Sequence, residues 1–167
     1  YNTTDMKDQL LDTWQTQHKM NLLLMDNISD AGMQKTLSTR GGRTVYKQLI
    51  HVHNVRMQWL EICAKDIFKR YKYKVLDKEA TFDRKGLRKA LDDSANGIEE
   101  LLSRSWDDGG KVKGFSAGPS GKKGVITMLG YFISHESHHR GNILLTLKQS
   151  GEKIPDTVKW GLWEWGK

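Results

Sequence analysis

Three of the chain's six histidines fall within His135-Glu136-Ser137-His138-His139. On a helix, residues four apart lie one turn above each other on one face, so His135 and His139 can aim two imidazoles at one point. Helical projection lines Phe132, Ile143, Leu129 and Leu147 along a buried stripe, sets His135 and His139 on its flank, and turns His138 towards solvent. A third ligand must then come from another helix. The second helical segment offers His51 and His53 on opposite sides of its apolar stripe, and projection does not choose between them. Three imidazoles with an open position suit one divalent ion (Zn, Ni or Fe(II)), and the lack of a nearby cysteine disfavours a thiolate site. The same five residues satisfy H-E-x-x-H, in which Glu136 would be the general base of a zinc metallopeptidase. The longer H-E-x-x-H-x-x-G-x-x-H form fails at Asn142 and Leu145, and a gluzincin-like version would take Glu164, about the right distance downstream, as third ligand.

The elements that must position these residues are helical almost throughout. Residues 5–28 place Leu11, Trp14, His18, Leu22 and Met25 at spacings of three and four. Residues 44–69 repeat the pattern through Val45, Leu49, Val52, Trp59, Cys63 and Ile67, and residues 82–104 through Leu87, Ala90, Leu91, Ile98, Leu101 and Leu102. Residues 125–149 form the fourth segment, stopped by Ser150-Gly151. Gly32 and Thr39-Arg40-Gly41-Gly42 fall between the first two, the short and charged Tyr71–Thr81 reads as a connection, and the glycine-rich 105–124 as a loop. Four long amphipathic segments without a convincing strand predict an all-α four-helix bundle, one domain over residues 1–167, with a short Trp-rich tail from Pro155. Gly118-Pro119-Ser120-Gly121-Lys122 resembles a phosphate loop only in part. Ser116 stands where the first glycine should be, Lys123 where Ser or Thr should be, and no strand precedes it.

Composition narrows the class. The 167 residues include one cysteine, so an intramolecular disulfide and a Cys-rich zinc module are excluded. Mean hydropathy is −0.65, and no apolar run approaches the roughly 20 residues of a membrane helix. Lys plus Arg number 27 against 20 Asp plus Glu, a net charge of +7. The basic residues are scattered, and only Lys69-Arg70-Tyr71-Lys72-Tyr73-Lys74 interleaves aromatics as a stacking surface would, so nucleic acid is not the expected partner. Asn2-Thr3-Thr4 fits a glycosylation sequon too short to carry weight. The residues present include no signal peptide, and a cytoplasmic protein is expected, with export left open because the chain begins at Tyr1.

Leu49-Ile50-His51-Val52 followed by Trp59-Leu60, and later His135-Glu136-Ser137-His138-His139-Arg140-Gly141-Asn142, resemble the DinB-like (DNA-damage-inducible, YfiT-type) metalloenzymes, which are unrelated to the translesion polymerase sharing the name. The resemblance runs through nearly the whole chain in helix order. It implies a four-helix bundle holding one divalent metal, often Ni or Zn, through three histidines that fall here on His51, His135 and His139. It also implies a thiol S-transferase or hydrolase acting on a small molecule, with a low-molecular-weight thiol as partner, and a homodimer. Two positions depart from the pattern. Asn142 stands where the family motif usually has Gln, and Arg56 where relatives often have an acid. By projection Arg56 and Glu136 both face their helices' buried stripes, which predicts an ion pair between them. His18, in the first helix's apolar stripe, is a candidate pocket residue or proton shuttle, and Cys63 projects into the core as an inert thiol. Trp160, Trp163 and Trp165 are expected to cap the bundle or form a dimer patch. A non-catalytic basic binding protein of the stress response is the alternative from another class.

Overall fold

The structure, a computed structural model, describes residues 3–71, 76–77, 79, 81–116 and 124–165. Seven helices run in the order α1 (Thr3–Asp26), α2 (Asp30–Met33), α3 (Val45–Cys63), α4 (Lys65–Arg70), α5 (Arg84–Asp107), α6 (Val125–Gln149) and α7 (Asp156–Trp163). Four are long, and no strand occurs among the described residues. The long helices close a ring in which α1 packs on α5, α5 on α3, α3 on α6 and α6 on α1. Asn2 of the sequon, the phosphate-loop-like Gly118–Lys122 and most of the Tyr71–Thr81 connection lie outside the described residues.

The helix starts are written into short polar residues. Thr44 Oγ1 accepts from the Lys47 N–H and Asp83 Oδ1 from the Gly86 N–H, so α3 and α5 each begin on a side-chain cap that satisfies an otherwise orphaned donor. The expected second helix, 44–69, is interrupted. Ala64 adopts φ −152, ψ 68, ending α3 and starting α4. The bend swings Ile67 under Gly97 of α5, where an added Cβ would lie 2.7 Å from Leu60 and 3.4 Å from Ile67. Gly97, which reads from sequence as a weakness in its helix, is where Leu60 of α3 and Ile67 of α4 close on α5. The third helix likewise runs on to Asp107, and residues 112 and 115 of the following loop turn inward. Phe115 is buried and meets Trp59 and Tyr131 edge-on.

Two apolar clusters fill the bundle. One gathers Leu10, Trp14, Leu60, Ile98, Leu102 and Phe132; the other Leu24, Met25, Leu49, Leu87, Ile143 and Leu147. Between them lies a polar layer to which every long helix contributes: Gln17, His18 and Asn21 from α1, Arg56 from α3, Ser94 from α5 and Glu136 from α6. The histidines of α3 and α6 sit at that same level.

Candidate metal centre

The polar layer is organised by Glu136. Its Oε1 accepts from Arg56 Nε at 2.6 Å, and its Oε2 from Arg56 Nη2 at 2.8 Å, Gln17 Nε2 at 3.0 Å and Asn21 Nδ2 at 2.7 Å. Arg56 also donates from Nη1 to the Leu91 carbonyl and lies 4.8 Å over the Trp14 ring. Both charged side chains are wholly buried, as the projection of each helix led one to expect. Burial pushes the Glu136 carboxyl up, but the Arg56 charge and the hydrogen bonds from Arg56, Gln17 and Asn21 outweigh it and hold it below the usual range. Glu136 is therefore a carboxylate with both oxygens engaged.

That clamp fixes α6 against α3, and on the outer side of the same contact three imidazoles meet. His51, His135 and His139 each offer a ring nitrogen, all within 4.8 Å of one another. His135 Nε2 lies 3.3 Å from His51 Nε2. Two nitrogens each about 2.05 Å from a tetrahedral ion stand about 3.3 Å apart, so this pair already has a ligand spacing. The His139 ring centroid is 4.9 Å from that of His51 and 4.7 Å from that of His135. Its Nδ1 contacts Gln48 Oε1 at 3.4 Å, which orients Nδ1–H outward and leaves Nε2 as the available donor atom. His135 is flanked by Tyr131, with the two rings parallel.

All three rings are held neutral. His51 is lowered to about 4 by burial, the Arg43 charge and His135. His139 is lowered to about 4 by burial and by His135, His51, His138 and Arg43. Burial lowers His135 as well, against the opposing charge of Glu136. Neutral imidazoles are the form that binds metal. The donor set, its spacing and its protonation state fit a divalent ion, and the cluster can hold one.

Other candidate residues lie elsewhere. His53 is buried but does not join the cluster. His18 Nε2–H donates to Asp92 Oδ1 at 2.9 Å, while its Nδ1 faces Arg56 Nη1 at 3.5 Å. Burial first, then the Arg56 charge, lowers His18 to about 4. It belongs to the polar layer, not to the three-histidine cluster. Glu164 is exposed at the C-terminal cap of α7 and is not part of the cluster. Cys63 is half-buried at the core rim, its thiol pushed up to about 11 by burial. The tail tryptophans Trp160, Trp163 and Trp165 are exposed; Trp163 and Trp165 line a pocket with Gln17, Met20 and Arg140, and α7 docks through Val158 and Leu162. Reading the sequence by residue type passed over Gln17, Asn21 and Gln48, amides that look like surface and are buried partners of Glu136 and His139. Their one signal was position: residues 17 and 21 continue the spacing of Leu10 and Trp14.

The chain matches the DinB family over residues 1–165 and belongs to it. No curated protein and no solved structure was found to match significantly.

Proposed function

We propose that the protein is a divalent-metal-dependent enzyme, a thiol S-transferase or hydrolase, that acts on a small molecule with a low-molecular-weight thiol or water as nucleophile. The convergence of His51, His135 and His139 carries this reading. A bound Ni, Zn or Fe(II) would supply the Lewis acidity that draws the pKa of a thiol or water down towards neutrality. His51, His135 and His139 would hold that ion, with Gln48 fixing the ring of His139. The nucleophile comes from outside, because the Cys63 thiol is pushed up to about 11 and faces the core rim. Glu136 acts as a positioning residue: with both oxygens bound to Arg56, Gln17 and Asn21, it is not free to take a proton from a ligand. Nothing in the geometry favours the peptidase, which needs Glu136 as base and Glu164 as ligand. The basic surface does not favour a nucleic-acid module either, since Arg70, Arg84, Arg88 and Arg104 are all engaged in ion pairs with carboxylates.

The test is turnover of an electrophilic substrate by protein reconstituted in turn with Ni, Zn and Fe(II), with and without added thiol. Metal-dependent consumption of thiol, reduced about a hundredfold or more by His139→Ala, is the expected result. Metal-dependent turnover that ignores thiol assigns the hydrolase, and metal-loaded protein inert in both arms contradicts the proposal. As the family resemblance implies, we place the active form as a homodimer covering Trp160 and Trp163. Sedimentation at the single-chain mass of 19.2 kDa contradicts that.

A further inference from the structure

A groove of about 320 Å³ opens beside the histidine cluster, lined by the 36–43 loop, the start of α3 and the outer face of α6. His139 and Gln48 belong to both groove and cluster, so a ligand lying in the groove reaches the metal centre. None of its described lining residues is acidic. Arg43 stands at its wall, exposed and without an ion-pair partner among the described residues, whereas Arg70, Arg84, Arg88 and Arg104 each hold a carboxylate. Opposite, Asn142 Nδ2 donates to His138 Nε2 at 3.0 Å, holding both side chains along the rim. Leu37 and Leu145 also line the groove and are half exposed, at 50% and 51%. The loop that carries Arg43 is pinned: Ser38 Oγ accepts from the N–H groups of Arg40 and Gly42, and Thr36 Oγ1 from that of Ser38.

A cation with no counter-ion, two apolar side chains and no carboxylate together describe a seat for a small amphipathic anion. We propose that Arg43 binds the carboxylate or phosphate of the substrate or its thiol partner, with Leu37 and Leu145 covering the carbon skeleton and the reacting end reaching past His139 to the three-histidine centre. What reacts there rests on the metal-enzyme reading; the anion seat does not.

Metal-free wild type and Arg43→Gln separate the two. Each is titrated with 3-mercaptopropionate, with inorganic phosphate and with neutral 2-mercaptoethanol, following the backbone amide resonances of residues 36–43. The expected result is saturable shifts with an anion in wild type, about fivefold weaker binding in Arg43→Gln, and no comparable response to the neutral thiol. The stronger of the two anions assigns carboxylate or phosphate. Equal binding by both proteins, or no saturable shift with either anion, overturns the proposal. Protein that binds the anions through Arg43 yet takes up no metal upholds the seat and overturns the metal reading.

Discussion

Arg56 and Glu136 form the one fully buried ion pair among the described residues, and its consequences are asymmetric. Removing one partner leaves a charge in the core, which costs about 3–5 kcal/mol, whereas neutralising both leaves none. Urea denaturation of Arg56→Met should show a loss of that size, and adding Glu136→Gln should restore much of it. Glu136→Gln alone should still bind metal where it folds, since no oxygen of Glu136 belongs to the histidine cluster. Its affinity should be weaker than wild type, and an unchanged metal affinity in folded Glu136→Gln would contradict the positioning role. His18 carries a pH dependence. Its folded pKa of about 4 lies below the unfolded value of about 6.5, so the unfolded chain takes up the proton first as pH falls. Its contribution is therefore fully present above about pH 6.5 and lost towards pH 4, roughly 2–3 kcal/mol between pH 7 and 4.5. His18→Gln should flatten that part of the stability profile, and an unchanged slope would contradict it. The ion pair was legible because an arginine and a glutamate each projected onto an apolar stripe. Gln17 and Asn21 were not, because a buried amide looks like a surface amide until its partner is known.

At the scale of helices, apolar periodicity located the four long segments and fixed 125–149 to the residue, because α6 has a loop before it and Ser150-Gly151 after it. It missed the bend at Ala64, where neither Gly nor Pro marks the break. The bend follows from tertiary packing, as Ile67 seeks the space left by Gly97. It missed the single turn of α2 for the same reason: Gly32 is there to let α2 approach Leu147, 3.1 Å from where a Cβ would stand. Glycines of one type thus have opposite consequences. Gly97→Ala should destabilise by about 1–3 kcal/mol through overpacking against Leu60 and Tyr71, less the helix propensity gained. Gly130→Ala, exposed in α6 with no neighbouring atom within 4 Å, should stabilise by up to about 1 kcal/mol. Thermal melts of the two variants check the signs. A shift of both in the same direction would contradict this account of the α3–α5 contact.

In the molecule as a whole, a polar layer divides two apolar clusters, and the three-histidine cluster lies on the outer edge of that layer. The inner contact, Arg56 to Glu136, and the outer one, His51 to His135, span the same α3–α6 interface, so the register that satisfies one also brings the other together. This explains why the sequence located the histidines of α6 easily but could not choose between His51 and His53. Both flank one stripe, and only the resemblance, and then the packed helices, select His51. Among the described residues no helix is long and apolar enough to cross a membrane. The central claim is that this register builds a metal site, and metal content by mass spectrometry tests it most directly. Wild type, His51→Ala, His53→Ala and His139→Ala would be measured after reconstitution with Ni, Zn and Fe(II). The account predicts about one ion per chain in wild type and His53→Ala, lost in His51→Ala and His139→Ala. Wild type that retains none of the three metals, or loss with His53→Ala and not with His51→Ala, would contradict it.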